Sequence, residues 1–364
     1  MRTKGVILKD IYEFEKVSSC RKPFLCCGKS FESTPAFAYL SSNFDLTVWD
    51  NIRPNPRYED MLSAAELFKK EKCDFIIGAG GGSPLDSAKM IKLLVTNDVK
   101  TALTQPMQDN DIGFFAVPTT SGTGSEATKY SVFYVNENVK YSVSNDAFLP
   151  DFILLDESFI STVPPYQRRA TCLDALSHAI ESYWSVKSND ESREYAEKAI
   201  RLFVENKKGY IANEPQANRG MLLASYYGGK AINITSTTSA HAMCYNLTMN
   251  CSTAHGHSVA ACLAEIWKYM NEHNECVNDN RGRAHVLKTL DALGVLLGGK
   301  DSRDGAELFS SIIKEFDLKP PSATVKQVKE FVKSVNPAKL LTNPTVLEKS
   351  DVEEIYNRVF GINE

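Results

Sequence analysis

An α/β domain followed by an all-helical domain is the fold class predicted for this 364-residue chain, and three observations predict it. Short apolar runs alternate with helical patterns through the first half. Strand signals stop after Phe152-Ile-Leu-Leu155. Beyond Pro164-Pro165 apolar residues recur almost everywhere at three- and four-residue spacing, the period of a half-buried helix. Alternating strands and helices are the signature of a parallel sheet flanked by helices, so the domains are expected at 1–162 and 163–364.

In the first half, Pro23-Phe-Leu-Cys-Cys27 and Phe44-Asp-Leu-Thr-Val-Trp49 read as strands, Asp60 to Glu71 as a helix and Asp74-Phe-Ile-Ile-Gly78 as a strand. Pro84 to Val95 reads as a helix, Gly113-Phe-Phe-Ala-Val117 as a strand, and Tyr130 to Val135 and Phe152 to Leu155 as later strands. In the second half, helices are expected at Arg168–Trp184, Glu191–Glu205, Asn218–Ala231, Ser239–Leu247 and His257–Met270, with several more to the end.

Composition excludes several classes of function. A formal charge of -4 without any long basic run provides no electrostatic footprint for nucleic acid or an anionic membrane. The opening residues hold too short an apolar run for a signal peptide, and no stretch is long and apolar enough for a membrane span, so a cytoplasmic protein is expected. Nine cysteines, an odd number lacking any Cys-x-x-Cys pair, indicate neither a disulfide framework nor a cysteine zinc site. Cys26-Cys27 reads as core.

Four of the six histidines lie in two segments. Asp174 and His178 are four apart in a helical pattern, so both project from one face, and a carboxylate and an imidazole so placed can share one metal ion. His241 and His255 would add two ligands, making three neutral nitrogens and one carboxylate, a set suited to Zn or Fe(II). Upstream, Gly78-Ala-Gly-Gly-Gly-Ser-Pro84 follows a strand and opens a helix, with Ser83 expected as N-cap and Pro84 as the first helical residue. Glycines there let a phosphate approach free backbone N–H groups at a helix start. Thr119-Thr-Ser-Gly-Thr-Gly-Ser125 follows the next strand and offers hydroxyls to a ligand's amide, ribose and phosphates.

These motifs resemble those of the iron-containing, or group III, alcohol dehydrogenase family, from about Arg21 to Leu263. The resemblance carries the metal-ligand role to Asp174, His178, His241 and His255, with Fe(II) preferred and Zn as the alternative. It implies that Gly81, Gly82 and Ser83 bind a nicotinamide cofactor's pyrophosphate, that Asp86 lies near the nicotinamide end, and that Thr119, Thr120, Ser121 and Ser125 line the cofactor cleft. Lys140 stands where members often carry a lysine over the ribose. Many NAD-preferring members have an aspartate at the end of the first strand, where this chain has Gly28 with Lys29 beside it. Loss of that carboxylate removes repulsion of a 2′-phosphate, so NADP(H) is favoured over NAD(H).

The resemblance implies hydride transfer between nicotinamide and a small aldehyde or primary alcohol held at a Lewis-acidic metal. Members often carry a further histidine four residues after the third ligand; Tyr245 stands there, and His257 is the alternative proton shuttle. Glu181 is expected to support the ligand helix electrostatically. Lys230 and Lys129 suggest an anionic substrate, and the stretch around Lys230, with Ala254-His-Gly-His-Ser258, resembles the branch that reduces phosphonoacetaldehyde to 2-hydroxyethylphosphonate. Polyol oxidation like that of glycerol dehydrogenase and a lyase like dehydroquinate synthase are the rival activities. Family members are often dimers, and with an edge strand near Val6-Ile-Leu8 a homodimer is expected.

Overall fold

The computed structural model describes residues 3–136 and 139–362. The chain divides into two compact units, Met1–Thr162 and Val163–Glu364.

The first unit is built on a six-stranded sheet. Its strands are β1 (Val6–Leu8), β2 (Pro23–Cys27), β3 (Thr47–Trp49), β4 (Phe75–Gly80), β5 (Gly113–Pro118) and, after a separate hairpin of β6 (Tyr130–Val135) and β7 (Val139–Ser144), β8 (Phe152–Leu154). The order is β1-β8-β5-β4-β2-β3, and every neighbouring pair is parallel. In β2, β4 and β5 every residue is buried, as expected for central parallel strands covered on both faces. The two-residue period divides their side chains between two cores. Phe24, Cys26, Ile76, Phe114 and Ala116 enter one, whereas Leu25, Cys27, Ile77, Phe115 and Val117 enter the other.

Tyr130–Val135 is a strand as expected, lying outside the main sheet and pairing antiparallel with Val139–Ser144, a strand whose partly exposed, alternating polar residues hid it from an apolar-run reading. One expectation is corrected in this unit. The helix after β4 begins at Gly82 with Gly81 as its N-cap, so Ser83 is not the cap and Pro84 is the third helical residue rather than the first. The cause is Gly80, whose φ of +153° turns the chain straight from strand into helix. A Cβ on Gly80 would lie 2.4 Å from Pro84 Cγ, so that turn requires glycine.

The second unit is helical. Its central helix, Pro165–Trp184, has a proline in its first turn and is buried along most of its length. Asp190–Ile211 and Pro215–Thr235 pack beside it, followed by Ser239–Asn250 and His255–Glu272. Arg168 fastens the start of the central helix by donating to the Tyr210 carbonyl, Asn213 and Asn218 at the turn between the next two helices. At the other end Trp184 meets Trp267 edge-on, with centroids 5.7 Å apart.

Candidate metal and cofactor sites

The central helix places Asp174, His178 and Glu181 on one face, at spacings of four and three residues. The His255–Glu272 helix approaches that face closely because its second residue is Gly256, where a Cβ would stand 2.1 Å from the Ala170 carbonyl oxygen and 2.7 Å from Asp174 Cβ. His255 at the helix start is thereby brought to Asp174, with Nε2 3.8 Å from Oδ1. His241, on the Ser239–Asn250 helix, puts its Nε2 3.5 Å from the same oxygen. One ligand atom from each of Asp174, His241 and His255 lies within 4.8 Å of the others. His178 adjoins this trio, its ring stacked on that of His241 at 4.6 Å between centroids.

The cluster fits a cation. Asp174 Oδ1 and His241 Nε2 are both buried without a hydrogen-bond partner among the described residues, an arrangement that is costly unless something positive lies between them. Burial pushes the Asp174 carboxyl up, yet the imidazoles of His178, His255 and His241 outweigh it and hold the group well below the usual carboxylate range. Burial opposes protonation of His241, but the Glu181 and Asp174 carboxylates raise its pKa from 6.5 to about 9. A divalent ion would take the place of that proton.

Glu181 does more than lend distant charge. It is fully buried; one carboxylate oxygen pairs with His241 Nδ1, and the other accepts from the Thr238 amide at 3.1 Å, the Thr238 hydroxyl at 2.7 Å and the Ala240 amide at 2.9 Å. The pairing favours the His241 tautomer with its proton on Nδ1, which would leave Nε2 to face a cation, the arrangement common to metal-ligating histidines. The Asp174–His178–Glu181 spacing was the available signal for this direct contact.

Tyr245 is half-buried one turn beyond His241 and shares its helix face. Lys230 and His257 meet groups outside the cluster. Lys230 follows Gly228 by two residues; Gly228 packs toward His178, so Lys230 points to roughly the opposite side, where its Nζ sits 4.0 Å from the centre of the Tyr195 ring. His257 is likewise two residues past His255 and turned away from the cluster. It is buried, its Nδ1 is 3.1 Å from the Tyr166 hydroxyl, and burial lowers its pKa.

In the first unit, the C-terminal ends of β2, β4 and β5 carry Gly28, the Gly80–Gly82 turn and the Thr119–Ser125 loop side by side. The Thr119 amide donates to the Gly80 carbonyl at 2.9 Å, and a Cβ on Gly81 or Gly82 would meet the Thr120 or Thr123 side chain. Ser83, Thr119 and Thr120 are partly exposed around this turn. Gly28 is in extended conformation with open space where a side chain would stand, and Lys29 is exposed beside it. Ser121 is buried, and its hydroxyl finds no partner among the described residues.

Asp86 and Ser125 are engaged with the protein itself. Asp86 accepts from the Ser125 hydroxyl at 2.7 Å and from the Val132 amide at 3.0 Å; burial raises its pKa, opposed first by the Lys89 ammonium, then by these two hydrogen bonds and least by Lys140. The reading of the sequence missed Lys89, which is fully buried and bonded to Ser125, Thr128 and Tyr130, and Glu126, which is buried nearby. Lysine three residues after Asp86 on a helix was the one local sign of the former.

Fold and clusters together define a class: a parallel-sheet unit with a glycine turn between strand and helix, joined in one chain to a helical unit with a histidine-rich cluster that fits a cation. Comparison with known proteins narrows it. The chain matches the description iron-containing alcohol dehydrogenase over residues 4–157 and Fe-containing alcohol dehydrogenase family, C-terminal, over residues 169–360, and it belongs to that family. It is 34% identical over 237 residues to long-chain-alcohol dehydrogenase 1 of Geobacillus thermodenitrificans, covering 63% of this chain and 60% of that protein. It is 28% identical to 1,3-propanediol dehydrogenase of Citrobacter freundii, covering 88% of this chain and 84% of that one. Against phosphonoacetaldehyde reductase of Streptomyces viridochromogenes the identity is 29%, covering 69% and 68%. The matched stretch thus spans less than two thirds of the Geobacillus relative. Among solved structures, sulfoacetaldehyde reductase from Bifidobacterium kashiwanohense in complex with NAD+ has the same fold, with a TM-score of 0.88, 23% identity and coverage of 100% of this chain and 98% of that one. No helix among the described residues is long and apolar enough to cross a membrane.

Proposed function

We propose that the protein is a metal-dependent, nicotinamide-linked reductase of small aldehydes, running as an alcohol dehydrogenase in reverse, with Asp174, His178, His241 and His255 as metal ligands. The observation that carries this reading is the pair of buried atoms without a hydrogen-bond partner among the described residues, Asp174 Oδ1 and His241 Nε2, facing one another at 3.5 Å beside two further histidines. When bound, the metal supplies a Lewis acid for the substrate oxygen and the nicotinamide carries the hydride. Fe(II) is favoured by the family, and Zn(II) fits the same set of three nitrogens and one carboxylate.

The chain's own residues have three tasks. Glu181 holds His241 in the tautomer that directs Nε2 at the metal. The Gly81 and Gly82 backbone and the start of the Gly82–Leu94 helix take the cofactor pyrophosphate, with Ser83, Thr119 and Thr120 offering hydroxyls around it. Tyr245 is the proton donor to the substrate oxygen. Open space at Gly28 and the exposed ammonium of Lys29 support NADP(H) over NAD(H).

The finer substrate reading is a phosphonate-bearing aldehyde. With Lys230 turned away and Lys129 3.7 Å from Asp146, its support is the likeness to phosphonoacetaldehyde reductase. Oxidation of a small diol is a second reading, favoured by the likeness to 1,3-propanediol dehydrogenase. The protein would act as a homodimer through β1, an edge strand exposing Val6 and Ile7; a monomeric mass by light scattering would refute this. The test of function is metal analysis of protein purified without oxygen, with NADPH and NADH oxidation followed on propanal and on phosphonoacetaldehyde. Metal at one ion per chain and NADPH turnover are expected; turnover without metal would refute the reading, and preference for propanal would remove the phosphonate.

A further inference from the structure

Lys89 is fully buried, yet its ammonium belongs to no exposed site. Nζ donates to the Ser125 carbonyl at 2.6 Å, the Ser125 hydroxyl at 2.8 Å, the Tyr130 carbonyl at 2.8 Å and the Thr128 hydroxyl at 3.2 Å. Asp86, one turn earlier on the same helix, lies 4.0 Å away; its carboxylate accepts from Ser125 and Val132, and its carbonyl accepts from the Ser131 hydroxyl at 2.9 Å. The helix that opens on the glycine turn is thus bonded through two adjacent charges to the hydroxyl loop and to the hairpin that carries Lys140. Desolvating an ammonium is expensive, and a Met-sized apolar group would fill the same volume without that cost. What the charge adds is direction, since it holds two carbonyls and two hydroxyls at one point.

We infer that Lys89 is a positioning residue for the cofactor: it sets the 119–128 loop and the β6–β7 hairpin at one spacing from the glycine turn, so that groups binding the two ends of the nucleotide are held in register. Lys89 touches no cofactor atom itself. The inference rests on the cofactor reading above, and the experiment separates the two.

NADPH is titrated by its fluorescence into wild type, Lys89→Met and Thr128→Val, with KM for NADPH, KM for propanal, kcat and bound metal measured alongside. Lys89→Met is expected to weaken NADPH binding about tenfold and Thr128→Val about twofold to threefold. KM for NADPH should follow, while KM for propanal, kcat at saturating NADPH and metal content change less than twofold. A purely structural role would instead lower metal content and worsen both KM values together, and that result overturns the inference. Should Lys89→Met fail to fold, Thr128→Val decides: unchanged NADPH affinity overturns the inference. A wild type binding neither NADPH nor NADH refutes the cofactor reading as well.

Discussion

His241 shows how one side chain is specified by its neighbours. Its Nδ1 is engaged by Glu181, leaving Nε2 directed at Asp174. Glu181→Gln keeps the shape but removes the charge that favours the Nδ1–H tautomer, and metal affinity should fall about 10–100-fold in a chelator competition. An unchanged affinity would mean the pairing has no bearing on the ion. A few residues earlier, Ser236 adopts φ 63° and ψ 177°, a region that suits glycine, at the break between the Pro215–Thr235 and Ser239–Asn250 helices. Ser236→Gly should therefore raise stability by about 1 kcal/mol, read from the urea midpoint. Neither the strain nor the Glu181 contact is written locally, though the spacing of Asp174, His178 and Glu181 could have suggested the second.

At the scale of elements, the strands that a single sequence reveals are those buried on both faces. Pro23–Cys27 and Gly113–Pro118 are continuous apolar runs and stand out, whereas Val139–Ser144 is half-exposed and does not. The Gly82–Leu94 helix shows a further cost of burial. Glu126 packs beside Lys89, and desolvation raises its pKa from 4.5 to about 7. Between those values the folded protein keeps a proton that the unfolded chain loses, so stability falls as pH rises through that window. Burial also lowers Lys89 from 10.5 to about 8, which restores stability as pH rises between those values. Glu126→Gln should abolish the first fall and be about 1–3 kcal/mol more stable than wild type near pH 8, with the advantage gone by pH 4.5, in urea titrations at both pH values. A pH-independent difference would refute the assignment.

At the scale of the whole chain, the helical unit gathers its cluster from three helices, so the proposed ion would tie together segments spanning more than eighty residues from Asp174 to His255. Metal present at about a thousand times its dissociation constant stabilises the folded state by about 4 kcal/mol. Removal by a chelator should lower the melting transition by roughly 10 °C, and Zn(II) or Fe(II) should restore it. A transition indifferent to metal would show that the ion does not bind the folded form preferentially.

What the sequence determined by itself was whatever depends on short-range geometry: the alternation of the α/β unit, the glycine turn after β4, and the Asp-x-x-x-His pair on one helix face. Those follow from helical and strand periods, which any stretch of chain carries within it. Tertiary structure alone decided which way the remaining candidates face. Lys230 is two positions past Gly228, which packs toward His178, and His257 is two past His255, and two positions roughly reverse a helical side chain. Lys89 and Glu181 acquired their partners only when distant segments folded against them, because a buried charge is stabilised by groups that no local pattern records.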